Sequence, residues 1–123
     1  MLTRDQILAV DDRPSEKVSV PEWGGDVYVK TYGGDERDSF EQSIIVEEKT
    51  NLIGVRAKLC VRCVVDESGV RLFSDEDATL LGKKNAAAVN RVFEVAQRLN
   101  KLLREDVEEL IKNSGTGLSA GST

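Results

Sequence analysis

A chain of 123 residues with 40 % hydrophobic, 32 % charged and 5 % aromatic side chains is one domain in size and too apolar to stay disordered. Its net charge of −5 is uneven, with 6 basic and 12 acidic side chains in residues 1–50 against 11 and 10 in residues 51–113; the acidic first half repels phosphate backbones and counts against nucleic acid as a partner. No histidine occurs, so the commonest general base and metal ligand are both missing, and any reaction would have to run on carboxylates, lysines or the two cysteines.

The opening stretch TRDQILAV predicts a short helix, with Thr3 as cap and Gln6 three residues on, as a capping box requires. Its acids set it apart from a secretory signal, and no apolar run approaches the roughly 20 residues of a membrane span. The expectation is a cytoplasmic protein with no membrane partner. Pro14 then breaks the helical pattern. KVSV and VYVKTY alternate in period two around PEWGGD, which predicts an antiparallel hairpin with Val18 and Val20 on one face and Val27 and Val29 on one face. Gly24 and Gly25 permit its turn, and Trp23 is expected to pack across the hairpin or onto the helix starting near Asp35.

GGDERDSFEQSIIVEEK opens as a helix, with Asp35 as cap and Phe40 and Ile44 as an i,i+4 apolar pair. NLIGVRAKLCVRCVV is the most apolar segment. Leu52, Val55, Leu59 and Cys63 keep helical spacing, and Ile53, Ala57, Cys60, Val61 and Val64 fill most of the remaining circumference. That pattern predicts a central helix, although residues 57–65 are β-branched enough to form a buried strand instead. DESGVRLF reads as a turn and a brief extended piece, and SDEDATLLG as a short helix from Ser74 to Gly82. NAAAVNRVFEVAQRLNKL carries an apolar stripe of Val89, Val92, Phe93, Ala96 and Leu99, with Lys84, Arg91 and Arg98 on its opposite face at intervals of seven. REDVEELIKN predicts a last short helix, and residues 114–123, SGTGLSAGST, a flexible tail. The fold class is therefore α+β, mainly helical, with four to five helices and a small N-terminal hairpin in a single domain over residues 1–113.

The chemistry on offer is sparse. Cys60 and Cys63 form a CxxC, but a structural zinc needs four ligands and the chain holds no other cysteine. A redox dithiol usually opens a helix, whereas this pair falls late in an apolar one, where cysteine acts as a small hydrophobe. Three of the acidic clusters DERD, VEEK, DEDA and REDVEEL sit at or near helix starts, which predicts solvated helix ends, and DDRPSEK and SDEDATLLG lack the spacing and central glycine of a calcium loop. The basic face has no interleaved aromatics to stack on bases; it is a solvated or protein-docking face. EWGG lacks the spacing of a phosphate loop. Neither a catalytic residue, a cofactor site nor a metal site is predicted. If its ring is exposed, Trp23 is an anchor for another protein. Trp23, Tyr28, Arg91 and Arg98 are the candidate partner-binding residues.

The order of these features resembles the tail assembly chaperones of long-tailed bacteriophages. The resemblance rests on VPEWGGDVYV, then ERDSFE, then RLFSDEDATLLG, then VFEVAQRLN, and spans about residues 2–113. It implies a non-enzymatic, largely helical, self-associating protein of the host cytoplasm, absent from the mature virion. Its implied partners are the tape-measure protein, tail-tube subunits and a longer form of itself made by ribosomal frameshifting, into which the tail would serve as a linker. The alternative is a virion structural protein such as a tail completion or connector subunit. A small thiol or metal enzyme built on Cys60 and Cys63 is a third reading.

Overall fold

A computed structural model describes residues 1–47 and 49–101. The expected helix over 104–113 and the tail over 114–123 lie outside them. The described residues form five α-helices and a three-stranded antiparallel sheet, the α+β arrangement expected from the sequence.

Helix α1 (Arg4–Ala9) has the expected capping box: Thr3 Oγ1 accepts the Gln6 N–H at 3.2 Å, and Gln6 Oε1 accepts the Thr3 N–H at 3.0 Å. Strands β1 (Ser15–Val20) and β2 (Gly25–Lys30) pair with Val18 opposite Val27 and Val20 opposite Gly25. Between them Pro21–Trp23 makes one 3-10 turn, closed by the Gly24 N–H on the Pro21 carbonyl at 3.0 Å. Gly24 sits at φ +80, a left-handed conformation that a side chain would strain.

Helix α2 (Gly34–Ser43) differs from expectation at both ends. Asp35 lies in its first turn rather than at the cap, and Glu36 reaches back to the Gly33 N–H at 2.8 Å. The helix stops before the β-branched run, and β3 (Ile45–Val46) folds back on β4 (Lys49–Thr50). Gly54, at φ +73, then starts α3 (Val55–Cys63). Leu52 and Ile53 precede that helix, and Ile53 is 81 % exposed rather than central.

Both readings of residues 57–65 hold in part. Helix α3 ends at Cys63, and β5 (Val64–Val65) follows without a break and pairs with β2, Val64 opposite Val29 and Val65 opposite Tyr28. The chain switches there because β2 offers an open edge. After a turn, Leu72 donates its N–H to the Val64 carbonyl at 3.2 Å. A 3-10 turn (Asp75–Asp77) leads into α4 (Ala78–Leu81) and then α5 (Ala86–Leu99), whose cap Asn85 accepts the Ala88 N–H at 3.1 Å.

Helix α3 is the hub, packed against α2, α4 and α5, while α5 also crosses β1 and β2. Val20, Val29, Leu59, Val61 and Val92 are fully buried at their junction. Each such side chain contributes about 1.5–3 kcal/mol of burial. Among the described α-helices, α1 alone buries none of its residues.

Candidate partner-binding surface

Alternation along the hairpin decides which side chains meet α5. Val18, Val20 and Val29 are buried, so Glu16 shares their face. Its carboxylate accepts from Arg98 Nη2 at 2.7 Å, across the gap to α5. Seven residues earlier on that helix, Arg91 grips Glu22 of the turn with both terminal nitrogens, Nη2 lying 2.7 Å from Oε2. The Arg91 hydrogen bonds pull the Glu22 carboxyl down from 4.5 to about 2. Next to Glu22, Trp23 is half-buried with its ring against the core, and its indole N–H is enclosed without a hydrogen-bond partner among the described residues.

Three of the four candidate residues, Trp23, Arg91 and Arg98, therefore gather along one border between the hairpin and α5. Tyr28 does not join them. It pairs with Lys17 across the ladder and belongs to the other face of the sheet, where Lys17 and Asp26 lie 3.6 Å apart. The two arginines flank the core instead of pointing away from it, a placement that intervals of seven along one helix do not reveal.

A second constellation escaped the sequence reading. Arg62 of α3 keeps only 3 % of its side chain exposed, and among the described residues it is the one buried charged side chain. Its Nη1 donates to the Lys58 carbonyl at 2.6 Å and its Nη2 to Ser39 Oγ at 2.9 Å, with Asp75 Oδ2 at 3.4 Å. Asp75 in turn accepts from Ser39 Oγ at 2.9 Å and from Arg71 Nη2 at 2.8 Å. Arg71 Nε lies 3.7 Å from Glu36, which also accepts from Arg13 Nη2 at 3.2 Å. Burial lowers the affinity of Arg62 for its proton, while the Arg71 hydrogen bond holds Asp75 below the usual carboxylate range. Glu36 and Asp75 thus tie α2, α3 and the loop after β5 together, where solvated helix ends were expected. The available signal was Arg62 itself, one cation inside the apolar run CVRCVV.

The thiols belong to the core. Cys60 and Cys63 are buried and unlinked, and burial pushes both up to about 12. Such thiols are neither nucleophiles nor ready metal ligands at neutral pH. Among the described residues there is no group of three or more Cys, Asp and Glu placed to hold a metal ion. Nor is any described helix long and apolar enough to cross a membrane. A cleft of about 430 Å³ opens where the chain leaves α5, between Asp12, Pro14, Tyr32, Arg37, Asn100 and Lys101.

The family profile described as phage tail assembly chaperone matches residues 13–113, most of the chain. The chain belongs to that family. The solved structure of the bacteriophage HK97 tail assembly chaperone has a similar fold, with a TM-score of 0.58 at 18 % identity, covering 77 % of this chain and 94 % of the other. No match was found among curated proteins. In this tail assembly chaperone the stretches that carried the resemblance have structural work: ERDSFE supplies Glu36, Ser39 and Phe40, and RLFSDED supplies Arg71 and Asp75. Phe40 lies under the Arg62 guanidinium, 6.0 Å from it. Those residues build the network around α3, whereas VPEWGG supplies Glu22 and Trp23, and VFEVAQRLN supplies Arg98, to the border that Arg91, one residue before that stretch, completes.

Proposed function

We propose that this chaperone binds the tape-measure protein, keeps it soluble and helps recruit tail-tube subunits around it, without catalysing a reaction. The family match over residues 13–113 carries the proposal. A tape measure is a long helical chain whose apolar stripes aggregate if left bare. A partner that covers those stripes and adds negative charge, here a net −5, answers both needs. The contact surface is the Trp23, Arg91 and Arg98 border, with Tyr28 on the sheet's other face as a second point of contact. Tryptophan and arginine are the residue types enriched at interface hot spots. The Arg91–Glu22 and Arg98–Glu16 bonds face solvent, so a helical partner with carboxylates of its own can exchange for them.

The work takes place in the host cytoplasm, before the particle exists. Self-association and a longer frameshifted form complete the proposed set of partners. Co-expression with the tape-measure protein tests the reading directly: that protein should move from the insoluble to the soluble fraction and co-purify with this chain. Equal solubility with and without the chain sinks the proposal. Finding the chain in purified mature virions would replace it with the virion-structural alternative.

A further inference from the structure

Two ion pairs tie α5 to the hairpin, and they hold different things. Arg98 holds Glu16, a β1 residue already fixed in the ladder opposite Val29. Arg91 holds Glu22, which lies in the Pro21–Trp23 turn beyond the last rung, Val20 opposite Gly25. Among the described residues, no other side chain hydrogen-bonds to that turn. The Arg98 bond repeats what the sheet already does. The Arg91 bond is the polar tie between the turn and the helix behind it.

The turn is able to move as a unit. Its own bond, the Gly24 N–H on the Pro21 carbonyl, closes it from within and survives a swing of the whole turn. A Cβ added at Gly24 or Gly25 would meet nothing within 4 Å among the described residues, so the space beside them is open. Trp23, next to the ion pair, packs its ring on the core, yet its indole N–H is sealed in with no partner among the described residues. A donor enclosed in that way carries a desolvation penalty that water, or a partner's carbonyl, relieves once the ring swings out. The closed position is thus favoured by the apolar contacts of the ring and by the Arg91 bond, and opposed by the stranded donor.

We infer that the Pro21–Trp23 turn is a hinged flap, latched over the core by the Glu22–Arg91 pair, and that it presents Trp23 to a partner only when unlatched. A partner carboxylate that takes Arg91, or a partner cation that takes Glu22, opens it. Both halves of the pair reach solvent, Arg91 with 40 % and Glu22 with 28 % of its side chain exposed. The presentation of Trp23 rests on the contact surface proposed above; the latch itself is a property of the free chain.

Trp23 is the chain's only tryptophan, so its indole N–H gives a single proton signal whose exchange with deuterated water reports opening of the flap. Arg91→Ala should speed that exchange at least about twofold and leave the α3 amides unchanged. Arg98→Ala cuts the same kind of bond to a residue the ladder holds anyway, and should not alter it. Reversing the pair, Glu22→Arg with Arg91→Glu, should return the rate toward that of the parent. In the unmodified chain, raising sodium chloride from about 0.05 to about 0.5 M screens the latch and should speed the exchange as well, so the test stands even where a variant fails to fold. Equal effects of the two arginine substitutions overturn the latch, as does an indole N–H that exchanges only as fast as the α3 amides in every variant and at both salt levels. When the tape-measure protein is added, the emission and the indole signal of Trp23 should both move. Binding that leaves them in place overturns the presentation of Trp23, whereas absence of binding sinks the proposed function and leaves the latch standing.

Discussion

Arg62 of α3 and Asp75 of the 3-10 turn meet with Arg62 sealed in the core and Asp75 open to water: 3 % and 42 % of their side chains are exposed. The cation keeps its charge because one acceptor set, Asp75, Ser39 and the Lys58 carbonyl, reaches in from three elements.

Removing Asp75 should therefore hurt more than its exposed position suggests. Asp75→Ala strands the Arg62 charge and frees Arg71, which predicts a loss of about 1–2 kcal/mol, tempered because Asp75 itself is solvated. Replacing the cation instead, Arg62→Met, leaves no charge behind and should cost less in an Asp75→Ala background than alone. Urea denaturation of both single variants and the double variant checks the coupling; additive losses would show that the contact carries no energy.

Acid should undo the border before it undoes the core. The Glu22 carboxyl is depressed from 4.5 to about 2 by Arg91, so its contribution is complete above pH 4.5 and drains away as the pH falls toward 2. Asp75 is depressed by Arg71 and shifts in the same direction. Glu22→Gln should consequently lose less stability than the parent between pH 4.5 and 2, most visibly at low salt. Thermal melts across that interval measure it. Parallel curves for the two proteins would contradict the assignment.

The thiols give a third expectation. Both are buried and raised to about 12, so Ellman's reagent at pH 8 should find none in the native protein and two after denaturation. Cys60→Ala should remain folded at a cost of about 1 kcal/mol, the loss of one small apolar group. A native thiol that titrates readily, or activity that vanishes with Cys60→Ser and Cys63→Ser in a protein still folded, would favour the thiol chemistry instead.

Asn100 is a lock whose removal should be felt at a distance. It accepts the Tyr32 N–H, donates to the Ala96 carbonyl at 2.8 Å and approaches Cys63 Sγ at 3.5 Å. Asn100→Ala leaves the Tyr32 amide without its partner and should cost about 1–3 kcal/mol. Asn100→Asp keeps the acceptor and should cost less. Amide exchange at Tyr32 separates a lost bond from general loosening.

Local periodicity made the hairpin and α5 legible, because Val18, Val20, Val29, Val89, Val92 and Ala96 repeat at the strand and helix periods and are buried as those periods require. The same logic stalled at Cys63–Val64, where helix becomes strand with no glycine or proline between them. The partner that decides it, β2, lies far back in the chain, so no local pattern announces it. The Arg13, Glu36, Arg71, Asp75 and Arg62 network was invisible for a related reason. Its members are spread over more than half of the described chain, and each alone looks like an ordinary solvated charge. At the candidate surface, residue type marked Trp23, Arg91 and Arg98, but only the fold shows that the arginines bond Glu22 and Glu16.

Burial of the two thiols bears on how the proposed partner would be released. With no histidine in the chain and both cysteines lifted to about 12, the residue types that ordinarily change charge between about pH 5 and 8 are missing or buried. The chain thus carries no histidine or exposed thiol among its described residues to serve as a pH switch in the cellular range. For the binding proposed above, release by competition from another surface, with assembly order set by relative affinities, is the route that remains open without such a switch.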